Sequence, residues 1–101
     1  MPSTDQAPWV STRSQEYHFR KHGAAMGHST IEAYDRSARG TVRAGTRFTY
    51  RERGGSLKRV GFYHRQTGRL TVLDENETRI VNHFACSEAY ARCQIDSDFT
   101  R

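Results

Sequence analysis

RVGFYHRQTGRLTVLDENETRIVNHF, residues 59–84, is the stretch whose period decides the fold. Val60, Phe62 and His64 alternate with Arg59, Tyr63 and Arg65, the pattern of a strand with one buried and one wetted face. "RQTGR" supplies turn residues before Leu70, Thr71, Val72 and Leu73, and "DENE" supplies them again before the run from Arg79 to Phe84. Upstream, Phe48 and Tyr50 alternate with Arg47, Thr49, Arg51 and Arg53, and Gly54-Gly55 marks a turn into the next strand. Four strands joined by tight turns predict an antiparallel meander.

Two helices are expected ahead of the strands. Thr12-x-x-Gln15 reads as a capping box for the first, which Gly23 would end as a left-handed C-cap. Ser29-x-x-Glu32 opens a second that buries Ile31, Tyr34 and Ala38 and stops at Gly40. A sheet with one apolar face needs a cover, and these helices are the candidates for it. The expected fold is therefore α+β, with two N-terminal helices packed on one face of a four- to five-stranded antiparallel sheet. Residues 87–93 would add a short helix or the fifth strand. Residues 1–10, with Pro2, Pro8 and small polar side chains, read as a flexible tail, and residues 11–101 as a single domain with one modest core.

Charge is segregated along the chain. Between Arg36 and Arg69 ten Lys or Arg residues face a single acid, Glu52, and the remainder is net acidic, although the whole carries +5. A cationic region of this kind suits a phosphate backbone, with aromatic rings available for base stacking. No apolar run approaches the roughly 20 residues that cross a bilayer, so no membrane anchor is expected, and the first residues lack the features of a signal peptide. Cys86 and Cys93 read as reduced thiols rather than a disulfide framework.

The densest chemistry lies in YHFRKHG, residues 17–23. On a helix His18, Lys21 and His22 fall at i, i+3 and i+4 and share a face. Imidazoles titrate near pH 6.5 and suit proton transfer at neutral pH, while an ammonium stabilises charge that develops on a phosphate. Two other readings stay open. Cations in a last helical turn complement the helix dipole without any function. His18-x-x-x-His22 also has zinc-ligand spacing, but no acid lies between the histidines and no third ligand is evident, so neither a metal nor another cofactor is expected.

His18-Phe19-x-Lys21-His22-Gly23, the Ser/Thr-Ile-Glu-Ala-Tyr helix start and YHRQTGRLTVLDENETRIVNHF together resemble the colicin-type and contact-dependent-inhibition toxin nucleases of the barnase, EndoU, colicin and RelE superfamily. The resemblance runs from about residue 17 to about residue 84. It departs from the family pattern at Leu70, where an aromatic is frequent, at Glu77, where a turn glycine is usual, and at Asn82, where Thr is common. It implies metal-independent cleavage of RNA, with tRNA the expected substrate, by 2′-OH attack on the adjacent phosphate. His18 would be general base or acid, His22 its partner, Lys21 the phosphate clamp and Asn82 a phosphate contact. An acidic immunity protein would neutralise the toxin, which would act in the cytoplasm of a target bacterium after delivery at the C-terminal end of a secreted toxin.

On the sheet, Phe48 and Tyr50 are expected to face the helices. Arg47, Arg51, Arg59 and Arg65 would then line the open face and grip RNA phosphates, with Tyr63 as a stacking ring. Asn82 and His83 point to opposite faces, so at most one shares the site, and His83 is the reserve RNA contact. His28 and His64 read as structural. A non-catalytic RNA- or DNA-binding module would need the same basic sheet but no histidine pair, and is the competing reading.

Overall fold

The computed structural model describes residues 3–51 and 57–91, and in them the fold is α+β: helices packed against a four-stranded antiparallel sheet. Helix α1 spans Thr12–His22 and α2 Ile31–Ala44; strands β1 Thr46–Arg51, β2 Lys58–His64, β3 Arg69–Asp74 and β4 Ile80–Ala85 follow in the spatial order β1-β2-β3-β4. The meander read from the sequence is the observed one. The Gly54-Gly55 turn, Arg53 and Cys93 lie outside the described residues.

Helix ends differ from expectation by local chemistry. Ser11, one residue ahead of Thr12, caps α1 by accepting the Ser14 N–H at 3.0 Å, and Thr30, one residue past Ser29, caps α2 through the Ala33 N–H at 3.2 Å. Gly23 keeps right-handed helical angles rather than forming a left-handed cap. Glycine suits it because a Cβ would meet the Phe19 ring at 2.6 Å, while the left-handed residue is Gly27 at φ 83°. Helix α2 runs through Gly40 to Ala44, since Tyr34, Ala38, Thr41 and Val42 extend the buried stripe beyond that glycine.

Helix α2 lies across β2 and β3, and α1 lies along β4. Tyr34, Ala38 and Val42 close the core with Val60, Phe62, Leu73 and Ile80. Val42, Val60, Phe62, Leu73 and Ile80 each gain about 1.5–3 kcal/mol from burial, which is what holds helix to sheet.

The first ten residues are not a loose tail where the structure describes them. Trp9 is only 6% exposed, stacks on Tyr34 with ring centroids 5.7 Å apart, and donates its indole N–H to Asp35 at 2.8 Å. Ile80 N–H bonds Pro8 O at 2.8 Å and Val10 N–H bonds Ile80 O at 2.9 Å, a parallel bridge on the outer edge of β4. The Arg39 guanidinium donates to the carbonyls of Asp5 and Ala7, both at 2.9 Å. One large aromatic and an unpaired strand edge outweigh the weak propensity of the segment. The fifth partner of the sheet is thus this N-terminal bridge. Residues 88–91 form a helical turn instead.

The assignment of sheet faces also changes. Opposed residues of an antiparallel pair share a face, and Thr71, whose hydroxyl bonds Ala38 O of α2 at 3.0 Å, stands opposite Phe62, which stands opposite Arg47. Arg47, Thr49 and Arg51 therefore lie on the helix side, and Phe48 and Tyr50 on the open side, the reverse of expectation. Helix α2 covers β2 and β3, so the arginines of edge strand β1 stay wet there. On the open side Phe48 packs over Gly61, where any Cβ would meet the ring at 2.5 Å.

Candidate functional site

Helix α1 and strand β4 set out together at the Trp9–Ile80 bridge and meet again where the His22 and Phe84 rings lie 5.5 Å apart. They run side by side in the same direction. The contact of His22 with Phe84, two residues beyond Asn82, brings this end of α1 to the strand that carries Asn82. Phe19, one residue round the helix, packs on Tyr34 at 5.8 Å and fixes the rotation of α1. That rotation turns the predicted trio outward along the seam: the His18 and His22 rings lie nearly parallel, at 7° with centroids 6.0 Å apart, and Lys21 reaches over the Tyr17 ring at 5.7 Å. The cleft between α1 and α2 lies on the other side of the helix, at Phe19 and Arg20.

Burial, then the charges of His22 and Lys21, holds the His18 imidazole below its usual pKa, and burial followed by Lys21 does the same for His22. The neutral form therefore predominates for each at pH 7, and the protonated share grows as pH falls. His18 Nδ1 is buried without a hydrogen-bond partner, so nothing in the described protein fixes its tautomer. Asn82 accepts the His83 N–H on Oδ1 at 2.8 Å, which leaves its Nδ2 group as a donor for an anionic oxygen. Among the described residues no group of three or more His, Cys, Asp or Glu side chains converges as a metal site, and no helix is long and apolar enough to cross a membrane.

No family model, curated protein or solved structure matches the chain.

His83 is not an RNA contact. It is fully buried between α2 and the sheet, where hydrogen-bond logic fixes its tautomer. The Thr71 hydroxyl spends its proton on Ala38 O and Leu70 O can only accept, so His83 Nδ1 carries the hydrogen it gives them, at 2.8 and 3.1 Å. Nε2 then accepts from the Ser37 hydroxyl at 2.8 Å, and Ser37 Oγ in turn accepts from Arg69 at 2.8 Å. Burial above all, with Arg69 nearby, depresses its pKa to about 3. Tyr34 donates to the carbonyl of the same residue, and burial raises the pKa of that phenol.

The remaining predicted RNA contacts are scattered. Arg59 and Tyr63 lie on the open face with Asn82 and Phe84. Tyr63 is anchored there by donating to Cys86 O at 3.1 Å. Arg65 is held by Glu88 at 2.8 Å and Arg47 by Glu77 at 2.9 Å, and Arg47 and Arg51 are on the helix side. The structure thus keeps His18, Lys21 and His22 together on α1 and brings His22 to Phe84 of β4, while Arg47, Arg51 and His83 lie on the sheet face opposite Asn82 and Phe84. His28 lies edge-on to Tyr34 at 6.3 Å with its Nε2 buried, and His64 bonds Thr67 at 3.0 Å. Sequence reasoning missed Phe84 and Tyr17 as neighbours of the trio; the i, i+4 spacing of Tyr17 and Lys21 was the available signal for the second.

Proposed function

We propose that this chain is a metal-independent ribonuclease toxin domain of the colicin and contact-dependent-inhibition type, cutting RNA, with tRNA the expected substrate. The observation that carries the reading is the parallel pair His18 and His22, with Lys21 on the same helix and His22 against Phe84 of β4, two residues from Asn82. In such a reaction one neutral imidazole takes the 2′-OH proton as that oxygen bonds to phosphorus. The protonated partner returns a proton to the departing 5′-oxygen, leaving a 2′,3′-cyclic phosphate. Lys21 and the Asn82 amide steady the dianionic phosphorane. An acidic immunity protein would silence the domain by covering this seam or the open face beside it, and the site of action would be the cytoplasm of a target bacterium.

Purified protein incubated with total tRNA in EDTA tests the reading. Cyclic-phosphate ends, lost on substitution of His18 or Lys21 by alanine, support it. Intact tRNA under conditions where the protein still binds RNA would instead favour a non-catalytic binding module.

A further inference from the structure

Tyr17, His18, His22, Phe84 and Tyr90 form an unbroken file of rings, with successive centroids 5.1, 6.0, 5.5 and 6.0 Å apart. The file starts on α1, crosses to β4 and ends on the helical turn at residues 88–91. Its two outer members are, among the described residues, two of the few large hydrophobic side chains left in solvent, Tyr17 at 52% exposure and Tyr90 at 47%. We propose that this file is a stacking track for single-stranded RNA, in which Tyr17 and Tyr90 each hold one unpaired base on either side of the histidine pair.

Three observations favour this occupant. The outer ring contacts are edge-on, at 78° and 82°, and each outer tyrosine is about half exposed, which leaves ring surface for a base. Lys21 stands beside Tyr17 at the outer end of the file, so a phosphate next to a base stacked there meets a cation. Lys21 lies over the Tyr17 ring at 5.7 Å, and an exposed cation–π contact of that kind is weaker than a base–aromatic stack. An arriving base therefore displaces the ammonium toward the adjoining phosphate. Bases reach such rings only when unpaired, so loops and ends are the substrate class rather than duplex. The track itself stands on the rings; only its relation to a scissile bond rests on the ribonuclease reading.

A fluorescent 2′-O-methyl oligoribonucleotide separates the two, because it lacks the attacking hydroxyl and reports binding whether or not the protein cleaves. Tyr17→Ala and Tyr90→Ala should each weaken its binding by about tenfold or more, while Tyr17→Phe and Tyr90→Phe keep wild-type affinity. A duplex of the same sequence should bind more weakly and respond to neither alanine. Wild-type affinity in both alanine variants would overturn the track, even if natural RNA is still cleaved. So would an effect confined to association with an acidic protein partner. Weakened binding without any cleavage of tRNA would uphold the track and overturn the ribonuclease reading. Tyr17 is exposed on a helix with no buried residue, so Tyr17→Ala decides the matter if Tyr90→Ala fails to fold.

Discussion

Replacing His83 by glutamine should remove much of the acid sensitivity of this fold. The native imidazole has a pKa of about 3 against an ordinary 6.5, because ionisation would place a charge in a buried site beside Arg69. A depressed pKa contributes stability that is present above pH 6.5 and is lost as pH falls toward 3, since the unfolded chain then binds a proton that the native state refuses. With these two values the loss at pH 5 is about 2 kcal/mol, and the slope below pH 6 is about 1.4 kcal/mol per pH unit. Against a total of roughly 5–15 kcal/mol that is a large fraction. His18, His22 and His28 are depressed in the same direction, so the quantity to measure is the difference between wild type and His83→Gln. Urea unfolding at pH 7.5 and pH 5 should show the variant less stable at pH 7.5 and the gap narrowed by about 2 kcal/mol at pH 5. Imidazole shifts in the wild-type NMR spectrum should show the Nδ1–H tautomer with no titration down to pH 4. Parallel stability curves, or a His83 resonance that titrates near pH 6, would refute the buried relay.

Cleavage should peak on the acid side of pH 6.5, because burial and neighbouring charge hold both His18 and His22 below that value and the reaction needs one proton across the pair. Lys21→Ala should lower kcat/KM by about a hundredfold while moving the optimum upward, as a repelling charge is removed; a pH–rate profile checks both. Trp9→Ala should cost about 3–5 kcal/mol in a denaturant titration, the scale of a buried tryptophan, whereas a loose tail would lose almost nothing. Glu77 has φ 60°, so Glu77→Gly should relieve about 1 kcal/mol of backbone strain, offset in part by loss of the exposed Arg47 pair; the thermal midpoint should hold or rise.

The left-handed Glu77 also shows how far local pattern reached. The resemblance marks that position as a glycine turn, and the backbone adopts the glycine conformation although the side chain is not glycine. Strand order followed from the tight turns, and the grouping of His18, Lys21 and His22 from helical spacing, because both depend on neighbours in the chain. Phe48 and Arg47 were told apart by period two, but alternation defines two faces without saying which one meets a helix. That depended on how far α2 reaches across the sheet, and it stops short of β1.

Sequence by itself determined the four-stranded meander, the two helices ahead of it and the shared face of the histidine trio, since dihedral preference and side-chain periodicity act over a few residues. Only the tertiary structure decided that Trp9 pins the N-terminal segment to Ile80, that His83 is sealed between Ser37 and Thr71, and that Phe84 lies against His22. Those outcomes join residues tens of positions apart. They rest on which buried hydrogen bonds can all be satisfied at once and on which ring fills which gap, and a one-dimensional pattern carries no term for either.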